Sequence, residues 1–155
     1  MVAELKEVIS TIEKLKDDEQ RQIAKMLSDE ISWDATLQNS QEKLGNLAEE
    51  ALNEYKTGKT QQTDWQLKSV TTDRFRKSFA KLPKNIQERA RQSYQLWKLN
   101  NNHPGLHFKQ IHNQQPIYSV RVGLSYRAIG IIQEDTMIWF WIGSHEDYNN
   151  LIAQL

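Results

Sequence analysis

Four histidines stand in this chain of 155 residues, His103, His107, His112 and His145, and all of them lie in its second half. The same half holds Arg121 and Arg127, and Lys109 two residues after His107. An imidazole changes charge near neutrality, so it can take or give a proton. A guanidinium fork matches an anion such as a phosphate. Proton transfer beside a bound anion is the chemistry these residue types could perform.

His145 is the first candidate, within Gly143-Ser144-His145-Glu146-Asp147, just past an apolar run. Asp147 could orient or charge-tune its ring. The plainer reading makes Ser144 a helix N-cap with Asp147 as its capping-box partner, and both readings can hold together. Val120 and Val122 suit a core-facing side, which turns Arg121 the other way. Arg127 lies across a short turn on the next strand. Both arginines suit a phosphate, and both would equally serve as surface groups or as ion-pair partners for acidic residues elsewhere in the chain. His107 and Lys109 alternate with Leu106, Phe108 and Gln110, so they are predicted on the sheet face opposite Phe108. His103 belongs to an Asn-rich turn before Pro104, and His112 is a weaker candidate. No carboxylate or histidine group has metal-ligand spacing beyond this loose set, so no metal and no cofactor is expected.

The elements that must position these residues fall into two groups. Val2, Leu5, Ile9, Ile12 and Leu15 recur at three and four, one helical stripe. Asp17 or Asp18 can cap a second helix carrying Ile23, Met26, Leu27 and Ile31. A third pattern runs from about Trp33 through Leu37, Leu44, Leu47, Ala51, Leu52 and Tyr55, and Gly58 is its natural stop. Residues 57–64 (TGKTQQTD) read as a polar linker. Beyond it, a short strand over 65–71 precedes a helix capped by Thr72-Asp73. Pro83 then opens a second helix over 84–99 with Ile86, Ala90, Tyr94 and Trp97 on one face. Four strand-like runs follow at 106–112, 117–122, 126–132 and 136–142, and a short helix starts near His145. Close turns imply antiparallel hairpins. The layout is α+β, two helices on one face of an antiparallel sheet with the other face open. Trp139, Phe140 and Trp141 are read as buried strand core before any stacking platform.

Charge divides at the linker. Residues 1–66 carry 8 Lys/Arg against 14 Asp/Glu, a net of −6, and residues 67–155 carry 12 against 6, a net of +6. Such asymmetry makes each half a partner for the other, or gives one half an anionic target. A hydrophobic content of 38% with narrow helical stripes suggests that the first half is ordered by docking. Cysteine is absent, so there is no disulfide framework. No apolar leader interrupts the start and the longest apolar run, 137–143, is too short for a bilayer. A soluble, cytoplasmic protein with no membrane partner is expected.

Residues 67–155 resemble toxins of the RelE/ParE superfamily from bacterial type II toxin–antitoxin systems. The resemblance rests on LKSVTTDRFRKSFAKLP, HPGLHFKQIH, PIYSVRVGLSYRAIG and IWFWIGSHEDYNNLI in that order. Residues 1–66 resemble the small helical antitoxins encoded beside such toxins, through EKLKDDEQRQIAKML and LAEEALNEYKTGKT. The implied domains are an acidic antitoxin-like segment over 1–64 and a basic toxin domain over 65–155, joined in one chain. Many relatives are metal-independent ribonucleases that cut mRNA on the ribosome. That chemistry needs a base for the 2′-OH proton, cations for the phosphorane and an acid for the leaving 5′-oxygen.

The resemblance thus implies roles for His145, Arg121, Arg127, His107, Lys109 and Asp147 in catalysis. Arg89, Arg91 and Lys98 would contact RNA, or simply be solvated, and Tyr148 would stack on a base or pack in the core. The acidic half would inhibit through Trp33, Leu44, Leu47, Leu52 and Tyr55, with Glu49, Glu50 and Glu54 meeting basic residues, in cis or in a swapped dimer. The freed toxin's partners would be mRNA and the ribosome. Operator DNA is a lesser expectation, requiring dimerisation through residues 1–31, because the acidic charge opposes it. Two other readings keep the fold: a toxin acting on gyrase, and a catalytically silent toxin-like binding or regulatory module.

Overall fold

The computed structural model describes residues 1–62 and 69–155. The expected domain boundary at 64–65 and the first residues of the strand predicted over 65–71 lie outside the described residues. The chain begins with three helices, α1 (Ala3–Ile12), α2 (Asp17–Asn39) and α3 (Gln41–Lys56). The predicted break between the second and third helices near residue 32 is absent. α2 runs through it and stops at Ser40, whose hydroxyl donates to the Thr36 carbonyl at 2.7 Å and whose backbone leaves the helical region (φ −120°, ψ 27°). A serine that bonds back to the preceding turn competes with the helix and bends it. At the far end Gly58 adopts φ +74°, donating to the Tyr55 carbonyl at 3.1 Å, so the predicted glycine stop holds.

The polar stretch after α3 is not all linker. Gln61–Gln62 form a short edge strand, β1, antiparallel to β2 (Ser69–Thr71). Thr72 then caps α4 (Asp73–Ala80), accepting from the Phe75 amide at 3.2 Å. α5 (Lys84–Leu99) follows Pro83, and a 3₁₀ turn (Pro104–Leu106) leads to β3 (Lys109–Gln110). The strand predicted over 106–112 is thus reduced to two residues. His107 takes a left-handed conformation (φ 46°) and ends the 3₁₀ turn instead of pairing. β4 (Ile117–Val122), β5 (Tyr126–Gln133), β6 (Thr136–Ser144) and α6 (His145–Ala153) stand where the sequence places them.

The sheet has the order β1-β2-β6-β5-β4-β3. It is mixed, because β2 runs parallel to β6 while β3, β4, β5 and β6 are antiparallel neighbours. Two helices intervene between β2 and the hairpins, a crossover long enough for parallel entry. Both faces are covered. Leu82, Val120, Val122, Ala128, Met137, Trp139 and Ile142 pack with residues of α4 and α5 on one side. Ile117, Ile129, Ile131, Ile138, Phe140, Trp141 and Tyr148 pack on the other with Trp33, Leu37, Leu44, Leu47, Ala48, Ala51 and Leu52. The face expected to be open is the seat of α2 and α3. α1, by contrast, buries none of its residues.

Candidate functional site

β4 and β5 align Arg121 directly opposite Arg127. Alternation sends Val120, Val122 and Ala128 into the α4–α5 side and leaves Arg127 with Ile129 and Ile131 under α2. The Arg127 side chain is only 2% exposed. It forms an ion pair through Nη2 with Glu30 Oε2 and lies 3.8 Å from Asp34 Oδ1, and its guanidinium stands 5.4 Å from the Trp33 ring centre. Nη2 closes on Glu30 while Nη1 stands 3.8 Å from Asp34, so the contact is not the matched fork of a bidentate pair.

Lys109 reaches the same two carboxylates, 2.9 Å to Asp34 and 3.3 Å to Glu30. His107 Nδ1 lies 3.7 Å from Glu30 Oε1. Despite the lost strand, His107 and Lys109 do share one side, because Phe108 turns away to stack on Tyr118 at 4.8 Å. At the start of α6, His145 Nε2 shares a 2.6 Å hydrogen bond with Thr36 Oγ1 and its ring stands 5.2 Å from that of Trp33. Four groups from three places in the basic half, the 107–109 stretch, β5 and the start of α6, therefore meet α2 at Glu30, Trp33, Asp34 and Thr36.

The electrostatics follow. Burial pushes the Glu30 carboxyl upward, but its bonding to Arg127 and the charges of Arg127 and Lys109 outweigh this and hold it below the usual range. Burial raises Asp29, against the opposing charges of His145, Arg127 and Arg121. Arg121, half-buried, thus contributes to the field at α2 beside Arg127.

Asp147 is committed elsewhere. Its carboxylate accepts from the Ser144 amide at 2.9 Å, and its own amide donates to Ser144 Oγ at 3.1 Å. The ring of His145 is held by Thr36, so the capping reading describes Asp147. Tyr148 is fully buried, its hydroxyl 2.8 Å from Ser40 Oγ and its ring 5.5 Å from Trp33 and 5.4 Å from Trp141. It is core in this state and presents no face to a base. Trp141 belongs to the same cluster, while Trp139 donates to Ser69 Oγ at 3.0 Å on the sheet's interior. Arg89, Arg91 and Lys98 lie on α5, across the sheet from His145. Arg91 sits over Phe79 and pairs with Glu88 at 3.7 Å, and Lys98 sits over Tyr94. The three basic residues predicted to contact RNA therefore lie on the face opposite the sequence-predicted catalytic groups, whereas Tyr148 lies on the same face as those groups.

The predicted contacts of the acidic half are at the seam. Trp33 and Leu44 have no exposed surface, Leu47 and Leu52 are buried, and Tyr55 donates to Thr136 Oγ1 at 3.4 Å. Glu50 pairs with Arg74 at 3.2 Å, Glu54 accepts from the Asp73 amide at 2.7 Å, and Glu49 accepts from Gln115 at 3.0 Å. Sequence reading missed Glu30, Asp34 and Thr36. For Glu30 and Asp34 the signal was spacing, since 30, 33, 34 and 37 fall on one helical stripe around Trp33; Thr36 lies off that stripe. Among the described residues no group of three His, Asp or Glu side chains could hold a metal ion, and no helix is long and apolar enough to cross a membrane.

Residues 84–150 match the family model of the ParE-like toxin domain. No curated protein matches significantly. Among solved structures, the RelB–RelE antitoxin–toxin complex from Methanococcus jannaschii is 21% identical, covering 52% of this chain and 95% of that one, with a TM-score of 0.45. A copper-bound mutant toxin from Helicobacter pylori is 16% identical over 52% of this chain and 97% of its own, with a TM-score of 0.40. A conserved hypothetical protein from Helicobacter pylori is 19% identical over 52% and 96%, with a TM-score of 0.36. The match over 84–150 spans α5 through most of α6 and contains every sequence-predicted catalytic residue. Residues 84–150 are thus similar to a ParE-like toxin domain, and the helices of the acidic half pack against it.

Proposed function

We propose that the basic half, residues 65–155, is a metal-independent endoribonuclease acting on mRNA at the ribosome, held silent by the acidic half, residues 1–64. The observation that carries this reading is the convergence of His107, Lys109, Arg127 and His145 on the carboxylates and hydroxyl of two successive turns of α2. Once α2 is displaced, Arg127, Arg121 and Lys109 surround a volume suited to a scissile phosphate, and His145 and His107 can exchange protons with the 2′-OH and the leaving oxygen. With α2 in place, Glu30 and Asp34 supply the negative charge that RNA would bring. Trp33 fills the apolar floor between Arg127 and Tyr148. Joining both parts in one chain sets an effective concentration of roughly millimolar, so an RNA strand must compete with an inhibitor that dilution does not remove.

The test keeps the full chain. Glu30→Arg together with Asp34→Arg places like charges against Arg127 and Lys109 and should expel these turns of α2. Expressed in bacteria, the double variant should arrest growth with cut transcripts, and adding Arg127→Ala should restore growth. Arrest with intact transcripts and altered DNA supercoiling would move the target to gyrase. A folded double variant without effect on growth, translation or supercoiling would leave a silent binding module.

A further inference from the structure

His112, idle in the proposed chemistry, has its whole ring engaged at the seam between the halves. Its Nδ1 accepts from two backbone amides at once, Gln114 at 3.1 Å and Gln115 at 3.0 Å. A nitrogen that accepts has no proton, so the ring is neutral and its proton is on Nε2, which donates to the Gln41 carbonyl at 3.1 Å. Gln41, the first residue of α3, returns the grip. Its Oε1 accepts from the Asn113 amide at 2.8 Å, and its Nε2 donates to the carbonyls of Ile111 at 2.8 Å and Leu37 at 3.0 Å. Gly45 stands one turn further along α3. A Cβ there would lie 3.3 Å from His112 Nε2 and 2.9 Å from Gln115 Oε1, so the bare backbone lets the helix close on this turn.

We propose that His112 and Gln41 form a proton-sensitive clasp that holds the α2–α3 elbow to the toxin domain and lets go when the imidazole charges. Protonation converts Nδ1 from acceptor to donor and sets it against both amides. The turn and the helix cannot then keep their present bonds to the ring. Charged groups near the ring come from every packed element: Glu49 on α3 through Gln115, and Asp34 on α2 with Lys109 on β3, which line the adjoining cleft of about 220 Å³ and pair with each other. Among the described residues none of these charged groups bonds to the ring, whose Nδ1 is met by the two backbone amides. His107 faces Glu30 and His145 acts on Asp29, so positive charge on either ring draws α2 inward. His112 is the histidine whose charging acts outward. The inference rests on the reading of α2–α3 as the inhibitory segment, and it supplies that segment with a release route that needs no dissociation of a separate chain.

Amide hydrogen exchange on the full chain tests it at pH 7.5 and pH 5, either side of the ordinary imidazole range. After correction for intrinsic rates, the opening equilibrium reported by Leu44 and Leu47 should rise about tenfold at the lower pH, the scale of two lost hydrogen bonds. ¹⁵N spectra should show the His112 ring with its proton on Nε2 at pH 7.5. In His112→Asn the side-chain oxygen can still accept from the Gln114 amide but cannot titrate, and the rise at pH 5 should vanish. A rise of equal size in His112→Asn, a ring protonated on Nδ1 at pH 7.5, or unchanged opening in the parent would each overturn the clasp. The readout is independent of RNA cleavage, so failure of the nuclease reading would leave this result standing.

Discussion

Arg127 of β5 and Glu30 of α2 form an ion pair in which the arginine is buried and the glutamate one-fifth exposed. Glu30→Gln should remove the charge while keeping the packing, leaving Arg127 with only Asp34 at 3.8 Å. Stranding a buried cation costs several kcal/mol in a dry site; the partial exposure of Glu30 lowers the expectation to about 2–3 kcal/mol. Urea unfolding of the two proteins at pH 7 measures it, and a difference below 0.5 kcal/mol, about the scatter of an ordinary surface substitution, would show that the pair does not hold α2.

The same pair has a pH signature. The folded Glu30 carboxyl is held below its ordinary 4.5, so its contribution is present above that value and is lost as pH falls through the lower folded one. Asp29 has the opposite sign. Its folded form is raised above 3.8, which favours folding when it is protonated and opposes folding once pH rises through the folded value. The stability gap between parent and Glu30→Gln should therefore shrink as pH is lowered below 4.5, read from urea midpoints between pH 3 and pH 7. A gap that stays constant to pH 3 would exclude ionised Glu30 as its source.

His145→Ala, made in the Glu30→Arg/Asp34→Arg background, should lower RNA cleavage by roughly 10²–10⁴-fold, the range for a lost acid–base group. Folding should survive, because α6 is capped by Ser144 and Asp147 and not by the imidazole. Circular dichroism beside the cleavage assay separates the two effects. Cleavage at the parent rate would assign the proton transfer to another group.

Trp33→Ala should destabilise the full chain by about 3–5 kcal/mol, the range for emptying a large aromatic site. Its ring touches Trp141, Tyr148 and His145, so it anchors α2 to β6 and α6 together. Trp33→Phe should recover much of that loss. Equal losses for the two variants in thermal melts would deny the ring its packing role.

Gly130→Ala probes the sheet alone. A Cβ there would stand 2.8 Å from the Ile138 carbonyl oxygen and 2.8 Å from Met137 Sδ, at the register shift between β5 and β6. A backbone oxygen has nowhere to move, so overpacking should cost about 1–3 kcal/mol or more. Unchanged stability would show that the strand can slide to make room.

Much of this protein was legible before any tertiary contact was known. Local rules acted on local sequence: Gly58 and Thr72 ended and began helices, and the alternation at 117–122 marked β4 without error. The Ser144–Asp147 capping box was readable from four residues. The charge split offered two readings, that the halves are partners or that one has an anionic target, and ion pairs such as Glu30–Arg127 and Glu50–Arg74 join the halves. Helical stripes likewise picked out Trp33, Leu44, Leu47 and Leu52 as contacts. What spacing alone could not determine was which carboxylate meets which cation. Arg127 could have served a surface, a phosphate or an ion pair, and only the folding of α2 across β5 selected Glu30. The helix break at Ser40 rather than near residue 32 and the loss of most of the 106–112 strand turned on single backbone conformations, at Ser40 and at His107, that periodicity does not report, and the parallel entry of β2 depended on β6, distant in sequence. His112 shows the limit best. Its residue type promised a proton carrier, yet two amides and a carbonyl on either side of the seam decided which nitrogen holds the proton, and that arrangement exists only once both halves are packed.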